Sequence, residues 1–134
     1  YLLKGKEMRR LASEVLRGLE TRVARLERTS SRWSTDEEVI QELELSIVNE
    51  YALWPMTQNI ISNQAMHMYK GRWSKESAIK SFENLVNAGI KDYRNRYGRD
   101  HLPSRISRGV KQAVAEYLFE YYEDAINEAV EDLI

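Results

Sequence analysis

Ala78, Ile79, Phe82, Leu85, Val86, Gly89, Ile90, Tyr93 and Tyr97 recur one, three or four residues apart. That is the period of an α-helix with one apolar face, sustained over about five turns. A half-buried strand would need strict alternation instead. Much of the remaining chain follows the same rule. With 6 Gly and 2 Pro in 134 residues, it has few of the turn residues that a many-stranded fold requires. The spacing predicts an all-α, single-domain bundle of about five helices, over residues 3–28, 35–53, 56–69, 75–97 and 103–132. The last two are expected to form an antiparallel hairpin through a turn at 98–102. A chain of this length buries roughly two-thirds of its unfolded surface, enough for one core without staples.

The first expected helix places Leu16, Leu19, Val23 and Leu26 at steps of three, four and three, the spacing of a coiled-coil seam. Arg9, Arg10, Arg17, Arg22, Arg25 and Arg28 fill much of its other surface. This pattern serves a helix docked on the body, a seam to a partner helix, or a basic arm. Residues 1–30 are read as a basic N-terminal helix, a semi-independent arm being one of these readings, and residues 34–134 as the helical body of the same domain. The second helix starts at Ser34-Thr35-Asp36-Glu37-Glu38, where a capping box and first-turn acids coincide. Val39, Ile40, Leu43, Ile47, Val48 and Tyr51 form its buried face. It is expected to end or bend at Trp54-Pro55, because the residue before proline avoids the α region. Pro55 then suits the first position of the third helix, which ends near Gly71. Ser74 caps the fourth helix, with Trp73 placed to staple onto Ala78, and Gly98 stops it. The fifth opens at Pro103. Its apolar face, from Val110 through Tyr117, Tyr121 and Tyr122 to Leu133, is wide enough to imply central burial or contact with another subunit.

A net charge of -1 hides a segmented pattern. Residues 1–34 carry 9 Lys/Arg against 4 Glu, and residues 35–66 carry 6 acids and no base. Residues 67–111 carry 11 bases against 4 acids, and residues 112–134 carry 7 acids and no base. Either neighbouring segments offset one another across a compact bundle, or one basic surface stays free for an anionic partner. Lys80, Asn84, Asn87, Lys91 and Arg94 line one outward face of the fourth helix, a surface suited to phosphates and base edges. Arg96, Arg99, Arg105, Arg108 and Lys111 continue the positive charge around the turn into the fifth helix. On the fifth helix, Glu116, Glu120, Glu123, Asn127 and Glu131 line another face.

Several chemistries find no support. Cysteine is absent, which excludes disulfides, thiolate metal sites and cysteine nucleophiles. There is no glycine-rich phosphate loop. The two histidines, His67 and His101, sit in neither a Glu-x-x-His nor a His-x-x-x-His pattern. No apolar run approaches the ~20 residues of a membrane span. The expectation is a non-enzymatic, cytoplasmic protein with no catalytic residues, metal, cofactor or small-molecule substrate.

Leu53-Trp54-Pro55, Gln58, Asn63 and Lys70-Gly71-Arg72-Trp73 form one set of landmarks. Tyr93-x-x-x-Tyr97-Gly98, Pro103, Arg108, Val114-Ala115 and Tyr121-Tyr122-Glu123-Asp124 form another. Over residues 51–130 this pattern resembles a loosely defined family of small phage and mobile-element proteins of unassigned function. The resemblance implies a bacterial host cell and action by binding host or viral machinery. It brings no catalytic motif. The leading expectation is a protein-interaction module, by self-association or a protein partner, with Leu16, Leu19, Val23, Leu26, Tyr121 and Tyr122 as partner-binding candidates. The alternative is a nucleic-acid-binding protein using the basic surface of the fourth helix, the turn and the fifth helix.

Overall fold

Thr35 opens the described part of the chain. The computed structural model describes residues 35–134, so the expected first helix and its seam of Leu16, Leu19, Val23 and Leu26 lie outside the described residues. Four α-helices follow: α1 (Asp36–Asn49), α2 (Trp54–Tyr69), α3 (Lys75–Tyr97) and α4 (Arg108–Leu133). Short 3-10 turns at Tyr51–Leu53 and Arg99–His101 complete the regular structure, with no strand among the described residues.

The helix starts follow local chemistry. The Thr35 hydroxyl accepts from the N–H of Glu38 at 3.2 Å, and Asp36, Glu37 and Glu38 occupy the positive end of α1. Ser74 accepts from Ser77 at 3.2 Å and caps α3. At the end of α2, Gly71 has φ 70°. The N–H of Arg72 reaches the His67 carbonyl at 2.9 Å, and that of Gly71 reaches Met68 at 3.0 Å, the paired bonds of a Schellman stop. Trp73 stacks on Phe119 of α4 at 6.1 Å between ring centroids, so it joins two helices besides preceding one.

Two boundaries differ from expectation. α1 stops at Asn49 rather than continuing to residue 53. Glu50 is extended, its N–H bonds to Ile47, and its carboxylate accepts from Ala52 to start the 3-10 turn. Arg96 of α3 holds the same carboxylate at 2.8 Å. The break changes the register, and Tyr51, expected inward, is 86% exposed. Trp54 is helical (φ -59°, ψ -43°) although proline follows it. The pre-proline clash is a preference that packing overrides, and the Trp54 ring lies 6.3 Å from that of Tyr122. At the other boundary, α4 starts at Arg108 on a Ser107 cap, and Pro103 is not its first residue. Pro103 instead follows the buried, extended Leu102. Arg94 draws the carbonyls of Pro103 and Ser104 out of any helical ladder, at 2.6 and 3.3 Å.

α4 is the central element and packs against each of the other three helices. Phe82, Leu85 and Val86 of α3 meet Val114, Leu118, Phe119 and Ile126 of α4 in one core, closed by Leu43 and Ile47 of α1 and Ile60 and Ile61 of α2. Full burial of each such side chain contributes about 1.5–3 kcal/mol before chain entropy is charged against it. Of the expected hairpin core, Phe82, Val86, Ile90, Tyr93, Val114 and Leu118 are buried, and Tyr117 packs against the core from its edge.

Candidate functional site

The inward turn of Phe82, Val86 and Tyr93 leaves the other side of α3 facing water. Lys80, Asn84, Asn87 and Lys91 are all exposed on it. The eleven steps from Lys80 to Lys91 cover about 16 Å at 1.5 Å rise each. Arg94 continues the line but is half-buried, and its guanidinium is spent on the Pro103 and Ser104 carbonyls. It therefore ties the connection bearing Arg99 and Arg105 to the end of α3. Arg96 is also engaged within the chain: it bridges Glu50 and Asp92, each at 2.8 Å, and lies 5.0 Å over the Tyr97 ring. Arg99, Arg105 and Arg108 are exposed, and Lys111 is half-buried. No ion pair between described residues involves Lys80, Lys91, Arg99, Arg105, Arg108 or Lys111.

On α4, Glu116, Glu120, Glu123, Asn127 and Glu131 are exposed along one face. Glu116 accepts from Gln112 of its own helix at 3.3 Å. No ion pair joins this face to the basic residues of α3.

The wide apolar face of α4 is accounted for by its central position. Tyr122, expected at a partner surface, is 4% exposed. Its ring stacks on Phe82 at 6.1 Å, because α3 and α2 close over that side of α4. Tyr121 is half-buried beside it, with ring contacts to Tyr117 and Tyr122.

A buried polar contact was not anticipated. The Tyr93 hydroxyl donates to Glu42 at 2.9 Å, and Glu42 is fully buried. Glu42 falls on the apolar face of α1, three residues after Val39 and four before Ser46. A carboxyl inside an apolar stripe is the signal that locates such a contact from sequence. Tyr93→Phe removes this donor while keeping the ring. The expected cost is about 1–3 kcal/mol in a urea unfolding curve, since a buried acceptor loses a partner. An unchanged midpoint would show that the bond contributes nothing net.

His67 is exposed on α2 and His101 lies in the turn after α3. Among the described residues, no three of His, Asp or Glu gather in a group able to hold a metal ion. No helix among them is long and apolar enough to cross a membrane. Comparison with protein-family models, with curated proteins and with solved structures finds no match for this chain.

Proposed function

We propose that the chain is a non-enzymatic helical interaction module, of phage or mobile-element origin, that binds a protein partner through the charged outward faces of its last two helices. One observation carries this reading: two exposed faces of opposite sign stand on α3 and α4, and their charges form no ion pair with one another. Exposed complementary charge steers association and selects partners more than it stabilises a fold. The order of contacts supports an antiparallel hairpin that presents both faces. Arg94 meets Pro103 and Ser104, while Phe82, a full twelve residues earlier, meets Phe119 and Tyr122. The resemblance over residues 51–130 supports the phage setting. The burial of Tyr122 moves the partner surface away from the aromatic side of α4.

A tagged chain incubated with host-cell lysate, read by quantitative mass spectrometry, tests the reading. The expected result is a retained protein that survives nuclease treatment and is lost with Lys80→Glu/Lys91→Glu. Retention of the same proteins by the wild-type and reversed chains would overturn it.

A second reading, nucleic-acid binding, has its own support. The first turn of α4 carries Arg108 and Lys111 and no acid, which opposes the helix dipole unless an anion lies nearby. Arg99 and Arg105 are exposed just before it. Phosphate binding there would be steeply salt-dependent and would show as a raised 260 nm absorbance in protein purified at low salt.

A further inference from the structure

We propose that residues 3–28 fold back as a helix along the outer side of α1 and dock there by their leucine seam, with Leu45 at the centre of the contact. The contact lies within one chain and is separate from the partner reading above.

The burial of Leu45 carries this. Leu43 and Ile47 of α1 belong to the common core. At 3.6 residues per turn, Leu45 stands about 160° round the helix from each of them. It is no part of that core, yet it is only 2% exposed. α1 packs mainly on α3 and α4, and the core it shares with them lies on the Leu43 side. A leucine aimed away from its core and still shielded from water points to an apolar cover from chain outside residues 35–134.

The chain before Thr35 has the matching chemistry and the reach. Leu16, Leu19, Val23 and Leu26 form one apolar stripe. Only residues 29–34 separate the end of that expected helix from the Thr35 cap of α1. A link so short joins antiparallel neighbours. Arg28 then comes level with Asp36, Val23 with Gln41, Leu19 with Leu45 and Leu16 with Val48. Gln41 and Val48 flank Leu45 on α1, four residues before it and three after, so the stripe meets one face.

Charge fits the same register. Arg22, Arg25 and Arg28 fall level with the first two turns of α1, where Asp36, Glu37 and Glu38 stand and no base occurs. Arg25 and Arg28 also close the docking helix at the end where its dipole favours cations. Docking in this way uses the seam of Leu16, Leu19, Val23 and Leu26 inside the chain and leaves the outward faces of α3 and α4 to the partner.

Cross-linking of the full chain tests the proposal. The chain has no cysteine, so two introduced thiols are unique. Val23→Cys/Gln41→Cys sets one on the seam and one at an exposed position of α1. A short bismaleimide is expected to join them within a monomer, identified by peptide mapping and by light scattering at 15.7 kDa. Val23→Cys/Asn84→Cys, with its second thiol on the outward face of α3, is expected to stay unlinked. Limited trypsin digestion gives an independent readout. Cleavage after Arg22 and Arg25 should be at least tenfold faster in Leu45→Glu and in Leu19→Glu than in the wild type, with helicity checked by circular dichroism. If either variant unfolds, the Gln41 pair, which changes no buried residue of α1, decides the matter.

A Gln41 pair that fails to link, or links no faster than the Asn84 pair, overturns the docking. Wild-type cleavage as fast as in the folded variants does the same. Cross-links found only between chains, in a species of twice the monomer mass, would give the seam to a partner helix and overturn docking within the chain.

Discussion

Phe82→Ala is expected to lower the stability of the body by about 3–5 kcal/mol, a large part of the 5–15 kcal/mol typical of a domain. Phe82 is fully buried at the meeting of α3 and α4. Its ring lies parallel to Tyr122 at 6.1 Å and edge-on to Phe119 at 6.4 Å. Phe119 stacks in turn on Trp73, and Tyr122 lies against Trp54. Truncation therefore leaves a cavity walled by residues from α2, α4 and the turn before α3. Aromatic walls fixed in several elements collapse poorly, which puts the cost at the upper end of the range. Phe82→Leu keeps most of the volume and should cost less than half as much. Urea unfolding followed by circular dichroism measures both. A shift for Phe82→Ala no larger than that for Phe82→Leu would show that the aromatic cluster relaxes around the gap.

Gly89→Ala is expected to destabilise the protein by about 1–3 kcal/mol, against the sign that helix propensity alone predicts. Gly89 is buried in the middle of α3, where alanine would ordinarily gain about 1 kcal/mol over glycine. Here a Cβ would stand 2.7 Å from Cδ1 of Ile47 and closer still to its Cγ1. Ile47 is itself buried on α1 and has no free direction in which to turn. The glycine thus sets how closely α1 and α3 approach. The discriminating experiment is a double-mutant cycle with Ile47→Ala, which costs stability alone but deletes both clashing atoms. In that background Gly89→Ala should become neutral or stabilising. If alanine at 89 destabilises equally in both backgrounds, the cost lies outside the contact with Ile47.

The readable features of this fold are those governed by neighbours in the chain. The period of Ala78 to Tyr97 places α3, including its Ser74 cap and Gly98 stop, because helix periodicity and capping act over one or two turns. The outward line of Lys80, Asn84, Asn87 and Lys91 follows from the same period, once the apolar face is assigned to the core. The end of α2 was legible for a similar reason: Gly71 supplies a positive φ that few other residues adopt.

Features that depend on distant partners were not legible. Glu50 has no intrinsic reason to end a helix, and it does so where the Arg96 guanidinium, 46 positions later, holds its carboxylate. Pro103 is as good a first helical residue as Pro55. Only the grip of Arg94 on the carbonyls at 103 and 104 makes it part of an extended connection. That grip, and the double bridge of Arg96, separate these two arginines from the exposed Arg99, Arg105 and Arg108, although all five read alike as a basic run. The width of the apolar face on α4 left central burial and subunit contact equally open. Its packing against α1, α2 and α3 together chose burial and took Tyr122 into the core. By itself the sequence determined the helices and the charge along each outward face, since those depend on residues three and four apart. Tertiary structure decided which charges are consumed and how wide a face is covered, since those depend on which residues meet across the fold.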